Sequence, residues 1–267
     1  MIRTLSAIVA ILALSSSAFG TSAARSRKQV IQIVGQIQRA DYGGDRRALE
    51  LQFEKLAAFV EDKQLASRVR YWRGFALWRR ALNGANESVG TVELDADLKR
   101  AIDEFRQATS KDPTFVDARI AMASCLLFRV FLNQADSNRV RELLPEALEQ
   151  LKQAQTTAPD NPRLFWVLGS NYWYLPPERG GGQFKAISTY QRGLELARQQ
   201  TKPVDPLEPA WGEPELLMNL SWSNLHKSEP DLKAAELYAR SALALIPYWH
   251  YVRDMLLPQI RASKSTA

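Results

Sequence analysis

The fold is decided by residues 159–198, which read PDNPRLFWVLGSNYWYLPPERGGGQFKAISTYQRGLELAR. Apolar and small residues recur at helical spacing on both sides of PPERGGG, a stretch in which proline and glycine stop a helix. This pattern predicts two amphipathic helices packed back to back and joined by a turn. Other parts of the chain resemble divergent copies of this unit. The sequence contains no convincing β-strand pattern. We therefore expect an all-α chain of stacked antiparallel helix pairs.

One spacing recurs in the second helix of successive pairs. It places an apolar residue four positions after an alanine, a second alanine after seven positions and a proline after twelve. The spacing occurs three times, beginning at Ala101, Ala147 and Ala235. Small residues let two helices approach closely, and proline cannot continue a helix because it lacks a backbone N–H. The spacing therefore predicts the packed second helix of a repeated unit.

These residues resemble the tetratricopeptide repeat (TPR), a helix-turn-helix unit of about 34 residues. Its signature positions are occupied by Phe165, Leu168, Gly169, Tyr172, Ala186 and Tyr190. The resemblance covers about residues 65–247 and implies a TPR-like α-solenoid, a right-handed superhelix closed by end caps. The sequence departs from the family at Gly193, where alanine is expected, and at Ala239, where an aromatic residue is expected. Several turns within the pairs are also longer than usual.

The chain divides into a leader, a repeat region and a cap. Residues 1–24 have the pattern of a signal peptide: Arg3, an apolar run over 5–14, then small residues. The alternative is an anchoring N-terminal helix. Residues 25–64 are predicted to form a leading helix pair, 65–246 the repeats, 247–262 a C-terminal capping helix and 263–267 a disordered tail. No cysteine follows the apolar run, so we expect an exported protein, periplasmic or secreted, that is not a lipoprotein.

Composition and motifs argue against an enzymatic function and against a metal or cofactor site. The charged fraction is 24%, and the formal net charge of +6 favours acidic partners without requiring them. The sequence contains no HExxH or GxSxG motif and no plausible Cys–His pair, so we predict no enzyme, metal or cofactor. Nucleic acid is a poor candidate partner because the chain carries no binding motif. The single cysteine, Cys125, lies in the apolar run AMASCLLF and is predicted to be buried. The turn PPERGGG lacks phosphate-loop spacing, so we expect a structural role for it.

The resemblance implies that the first helix of each pair lines an inner groove. By register, this groove would present a set of residues that is rich in aromatic rings and arginine: Arg68, Tyr71, Trp72, Phe75, Phe128, Arg163, Trp166, Ser170, Trp173, Tyr174, Asn219 and Trp222. Aromatic and arginine side chains are favoured anchors at interfaces. The alternative is that several of these residues pack between helices. The arginines between Arg68 and Arg80 could receive an anionic group or, alternatively, pair with neighbouring acids.

Two functions are consistent with these features. The leading hypothesis is a non-catalytic scaffold that binds an unknown protein or peptide through the aromatic groove. The second is a small-molecule binding component for a small anionic or hydrophobic ligand. It rests on a distant resemblance to the helical-repeat periplasmic subunits associated with TRAP-type transporters. Those subunits are typically lipoproteins, and this sequence departs from them because it lacks the lipid-anchoring cysteine.

Overall fold

A computed structural model describes the backbone of residues 5–266 and the side chains of residues 23–265. This part of the chain contains eleven α-helices and no strand. In chain order the helices are α1 (Leu5–Gly43), α2 (Arg46–Lys55), α3 (Ala66–Asn86), α4 (Thr91–Lys111), α5 (Val116–Leu132), α6 (Ser137–Thr157), α7 (Pro162–Tyr174), α8 (Gln183–Gln199), α9 (Glu213–His226), α10 (Leu232–Leu245) and α11 (Leu257–Thr266).

Consecutive helices pack as pairs, as the sequence predicts. The pairs are α3 with α4, α5 with α6, α7 with α8, and α9 with α10, and α1 packs on α2 ahead of them. Successive first helices also touch: α3 contacts α5, α5 contacts α7, and α7 contacts α9. One hydrophobic core runs through all the pairs, from Val30 in α1 to Ile260 in α11. The all-α class and the stacked helix pairs are therefore confirmed.

Glycine brings the two helices of a pair into contact at three points. A Cβ atom built on Gly169 of α7 would lie 2.4 Å from Cε1 of Tyr190 in α8, and one built on Gly74 would lie 2.8 Å from Cε1 of Phe105. At Gly193 the added atom would lie 2.6 Å from Cβ of Phe165. The departure from the repeat pattern at residue 193 thus has a steric cause, because alanine does not fit there.

The turn between α7 and α8 has the structural role that its composition predicts. Gly180 (φ 78°) and Gly182 (φ 102°) take backbone conformations that side chains disfavour. A Cβ atom on Gly181 would lie 2.3 Å from the carbonyl oxygen of Leu175. The N–H of Gly182 donates a hydrogen bond to the carbonyl of Tyr172 at 2.8 Å, which ties the turn back onto α7.

The C-terminal cap differs from the prediction in two respects. The predicted capping helix begins later than residue 247, and α11 starts at Leu257 with Pro258 as its second residue. A π-helical stretch, Tyr251–Leu256, precedes it. The tail predicted to be disordered from residue 263 is helical as far as Thr266. There Lys264 pairs with Glu236 of α10, which holds the last turn on the repeats.

The two ends of the described chain meet. Tyr42, near the end of α1, packs edge-on against Trp249 with ring centroids 5.0 Å apart. Its hydroxyl donates to Oε1 of Glu215, at the start of α9, at 2.8 Å. Arg79 of α3 donates to Asp41 at 2.7 Å and lies 3.5 Å from the same Glu215 oxygen. Burial raises the pKa of Asp41, and Arg79 opposes that shift. These contacts join the leading pair, the first repeat and the last repeat.

The predicted signal peptide falls mostly on residues 1–22, whose side chains lie outside the described part, so it stays a prediction. Within the part of the chain that the structure describes, no helix is both long and apolar enough to cross a membrane.

The close approach at Gly169 predicts a stability difference. The methyl group of Gly169→Ala would collide with the Tyr190 ring, so we expect the free energy of unfolding in urea to fall by about 1–3 kcal/mol. Gly35→Ala in α1 is the matched control, because a Cβ atom there meets nothing within 4 Å. It should raise the free energy of unfolding by about 0.5–1 kcal/mol. Equal effects of the two substitutions would contradict the proposed packing.

Candidate functional site

The inner face of the repeats is covered by the connection between α8 and α9. Residues 201–212, which we name the inner segment, carry the fully buried Leu207 and the buried Trp211. Trp72 Nε1 of α3 donates a hydrogen bond to the carbonyl of Leu207 at 2.8 Å. Trp211 Nε1 donates to the hydroxyl of Tyr71 at 2.9 Å. The sequence predicted an irregular connection here but did not indicate that the connection enters the groove.

Trp211 lies at the centre of an aromatic cluster. Its ring packs against Trp78 (centroids 5.5 Å apart), Trp166 (5.8 Å) and Phe75 (6.2 Å). The rings of Trp78 and Trp166 also touch each other at 5.7 Å. Because the inner segment fills the space between the first helices, four residues predicted to line an open groove are buried instead. This correction concerns Tyr71, Trp72, Phe75 and Trp166.

Arg163 is also buried rather than available to a ligand. Its guanidinium donates two hydrogen bonds to the carboxylate of Asp117 in α5, from Nε to Oδ1 at 2.5 Å and from Nη2 to Oδ2 at 3.2 Å. Its Nη1 donates to the carbonyl of Trp211 at 3.1 Å. Arg163 thus links α5, α7 and the inner segment, and its predicted role in an open groove is corrected.

The basic run of α3 is neutralised by acids of the same chain. Arg68, which is half-buried, pairs with Asp112 at 2.6 Å and with Glu208 of the inner segment at 2.7 Å. The neighbouring arginines are paired as well: Arg70 and Arg73 with Glu104, Arg79 with Asp41, and Arg80 with Asp97. In the described structure these arginines therefore pair with acids of the same chain, as the second interpretation expects, and binding of an external anionic group stays a prediction.

A group of exposed and partly exposed aromatic rings lies at the carboxyl ends of the first helices. We name it the aromatic surface; it comprises Phe128, Phe131, Trp173, Tyr174 and Trp222. Tyr174 is 63% exposed and Phe131 is 43% exposed, with ring centroids 5.2 Å apart. Phe128 lies 6.5 Å from Phe131, and Trp173 packs edge-on against Trp222 at 5.1 Å. Four of these five rings belong to the predicted groove.

Polar side chains beneath the aromatic surface hold the helices that carry it. Asn219 of α9 donates to Oγ of Ser170 in α7 at 3.3 Å. Ser170 Oγ lies 3.0 Å from the hydroxyl of Tyr190 in α8 and donates to the carbonyl of Trp166 at 3.0 Å. Burial raises the pKa of Tyr190. Both Ser170 and Asn219 were predicted to line the groove, but their polar atoms are engaged in joining α7, α8 and α9.

The border of the aromatic surface carries a histidine, a lysine and several tyrosines. The His226 ring stacks on Trp222 with centroids 4.4 Å apart, and its Nδ1 lies 2.8 Å from the Trp222 carbonyl oxygen. Lys185 Nζ lies 5.5 Å from the centroid of the Tyr172 ring. Burial and the nearby Tyr174 hydroxyl raise the pKa of Tyr251 to about 12. At neutral pH the phenols here carry no charge.

Other features of the described residues do not form a reactive site. No group of three or more His, Cys, Asp or Glu side chains among them could hold a metal ion. Cys125 is buried, as predicted, and burial raises the pKa of its thiol, which keeps it in the unreactive protonated form. A concavity of about 740 Å³ lies away from the aromatic surface, between Arg27 and Glu208, and is lined by charges that are largely paired with one another.

Sequence reasoning missed several residues that define the site. Phe131 follows Phe128 by three positions and so lies on the same side of α5, a spacing that could have revealed it. His226 lies four residues after Trp222 and could have been found in the same way. Leu207 and Trp211 are apolar residues inside a proline-rich connection, which is a weak signal because single apolar residues in loops are common.

Comparisons with known proteins establish the fold. No protein-family model and no curated protein matches the chain. The HusA haemophore from Porphyromonas gingivalis is 19% identical with a TM-score of 0.56, over 74% of this chain and 93% of that chain. A thermophilic TPR protein of Thermus thermophilus is 18% identical with a TM-score of 0.53, over 90% of this chain and 100% of that chain. These likenesses show a divergent TPR-like α-solenoid, as the sequence resemblance implies.

The burial of the inner rings predicts which tryptophans meet solvent. Of the seven, Trp173 and Trp222 are partly exposed, and the other five are buried. We expect acrylamide to quench a fraction of the fluorescence that disappears in the double variant Trp173→Phe/Trp222→Phe. The control, Trp166→Phe, should keep that fraction, since Trp166 lies beneath Trp211. Loss of the quenchable fraction in the control would mean that the inner face is open.

Proposed function

We propose that this chain is a non-catalytic binding scaffold that holds a protein or peptide partner on the aromatic surface. The observation that supports the proposal is the exposure of the Tyr174 and Phe131 rings, which lie 5.2 Å apart, together with the partly exposed rings of Phe128, Trp173 and Trp222 at the ends of the first helices. Aromatic side chains bury much area at little cost in conformational entropy, so they are frequent anchors of protein interfaces. The TPR-like fold supports the same conclusion, because stacked helix pairs commonly present their first helices to partners.

The charges of the site favour an apolar segment over an anionic one. The arginines of α3 and Arg163 already form ion pairs with carboxylates of the same chain, so their charges are balanced internally. The aromatic surface instead offers ring faces and the hydroxyl of Tyr174. A partner that inserts leucine, methionine or aromatic side chains between Tyr174 and Trp222 would match this surface. Binding of this kind should depend only weakly on salt.

We further propose that the protein acts outside the cytoplasm, where the predicted signal peptide would deliver it. The evidence is the sequence of residues 1–24, with a basic start, an apolar run and small residues before the repeats. The mass of the mature chain, measured on protein recovered from the envelope or the medium, would test this proposal.

Site-specific cross-linking tests the aromatic surface. A photoreactive phenylalanine analogue placed at Tyr174 should cross-link a defined partner in cells. The same analogue at Leu237 in α10, which is equally exposed at 63%, should not. With the partner identified, Trp222→Ala should weaken its binding by about 30-fold, the usual effect of losing an aromatic anchor. Leu237→Ala should leave the affinity unchanged.

Two results would contradict the proposal. The first is that both positions give the same cross-linked species, which would indicate non-specific contact. The second is that Trp222→Ala and Leu237→Ala bind the partner equally well. The fold of each variant is checked by its circular dichroism and its urea midpoint, so that a loss of structure is not mistaken for a loss of contact.

A second candidate function is binding of a small hydrophobic ligand at the same surface. The observations that favour it are the stacked rings of Trp222 and His226 and the shared fold of HusA, which is a haemophore. A flat ring system could stack on these side chains, and Lys185 or His226 could contact an acidic substituent. The distant resemblance to the transporter-associated subunits supports the same class of ligand.

A ligand screen separates the two candidates. Haemin, flat aromatic acids and aliphatic organic acids are titrated while the thermal midpoint and, for haemin, the absorbance spectrum are followed. A true ligand raises the midpoint in a concentration-dependent way, since binding to the native state stabilises it by mass action. The shift should be lost in Trp222→Ala and kept in Leu237→Ala. The absence of a shift with every compound would rule against this candidate and leave the protein-binding proposal standing.

A further inference from the structure

The inner segment contacts the repeats much as a bound peptide would. The carbonyl oxygens of Leu207 and Trp211 accept hydrogen bonds from side chains of the first helices, Trp72 and Arg163. The carboxylate of Glu208 pairs with Arg68 at 2.7 Å. The side chains of Leu207 and Trp211 are both buried, and that of Trp211 lies in the aromatic cluster. Specificity thus comes from backbone acceptors, one acidic group and two apolar anchors, the same contacts that an extended ligand makes.

The inner segment leaves two buried hydrogen-bond donors of its binding site without an acceptor. The indole N–H groups of Trp78 and Trp166 are buried and have no hydrogen-bond partner. Buried donors are normally satisfied, so a site with two unpartnered indoles lacks an acceptor. The Trp211 ring lies against both indoles and has no acceptor to offer them, because indole nitrogen only donates. An occupant that placed acceptor oxygens within hydrogen-bond distance of these nitrogens would satisfy the donors.

The surroundings of the segment are loosely filled. The concavity of about 740 Å³ reaches Asp205, Leu207 and Glu208 on one side, and a smaller one of about 220 Å³ reaches Lys202, Pro203 and Trp211 on the other. Val204 is fully exposed. The segment is therefore anchored at a few points over a short length and is bordered by open space, which is the condition for a local opening that leaves the helices intact.

We propose that residues 201–212 are a displaceable internal ligand, and that the groove beneath them binds an extended peptide with an acidic residue and two apolar anchors. The acidic group pairs with Arg68, and main-chain carbonyls take the donors of Trp72 and Arg163. In the closed state the tethered segment competes at a high effective concentration, so a free peptide binds weakly. This site is distinct from the aromatic surface, and its failure would leave the proposed function untouched.

The first experiment measures whether the segment opens on its own. In full-length protein labelled with ¹⁵N-tryptophan, exchange of the Trp72 indole proton with solvent is compared with exchange of the backbone amides of α3 at several urea concentrations. We expect the indole proton to exchange at least about tenfold faster and with a smaller urea dependence, as a local opening requires. Exchange of the indole at the rate and urea dependence of the α3 amides would overturn the proposal.

The second experiment weakens the segment. Leu207→Ala removes a buried anchor, so we expect it to speed Trp72 indole exchange by about 30-fold or more. It should change the α3 amides far less. The matched control, Val204→Ala, alters a fully exposed side chain of the same segment and should have no effect. If Leu207→Ala does not fold, Glu208→Ala takes its place, because Arg68 keeps its ion pair with Asp112. Equal acceleration of all protons would overturn the proposal.

The third experiment supplies the ligand as a separate molecule. A fluorescent peptide with the sequence of residues 204–212, VDPLEPAWG, is titrated into wild type, Leu207→Ala and Val204→Ala. We expect Leu207→Ala to bind at least about tenfold more tightly than the other two, since its own segment competes less well. Trp222→Ala should bind as wild type does, which separates this groove from the aromatic surface. Equal affinity for all proteins, or no binding to any, would overturn the proposal.

Discussion

The insertion of Trp211 between the first helices is the contact that closes the inner face of the repeats. The ring of this residue, which belongs to a connection and not to a helix, meets Trp78, Trp166 and Phe75. Without it, the inner face of α3 and α7 would expose large aromatic rings to water. With it, those rings become core, at a gain of about 1.5–3 kcal/mol for each large apolar side chain that is removed from solvent. One irregular connection thus converts a groove into an interior.

The ion pairs of the inner face also follow from its burial by the inner segment. Burying the inner face also buries its arginines, and a buried guanidinium is tolerated only when carboxylates or carbonyls satisfy it. Arg163 is held by Asp117 and the Trp211 carbonyl, and Arg68 by Asp112 and Glu208. The segment therefore supplies acceptors as well as apolar cover. Because these arginines are paired within the chain, the exposed surface at the ends of the first helices is formed mainly by aromatic rings.

The parts of the structure that the sequence predicts are those governed by local spacing. The helix pairs, the contact of Gly169 with Tyr190 and the glycine turn all follow from residues close in the chain or from a repeated offset. The groove was placed by assuming that the inner face of the repeats stays open, and this assumption failed at Tyr71, Trp72 and Trp166. The path of residues 201–212 depends on contacts with α3, well over a hundred positions away, which no local pattern encodes.

The aromatic surface stays exposed to solvent because the inner segment does not extend over it. The segment crosses the amino-terminal half of α7, where Arg163 and Trp166 contact it, while Trp173 and Tyr174 lie about two turns beyond Trp166. Pro176 and the glycine turn then stop α7, so no further turn of that helix covers Tyr174. The inner segment therefore limits the aromatic surface on one side, and the glycine turn after α7 limits it on the other. Both stretches depart from the repeat pattern.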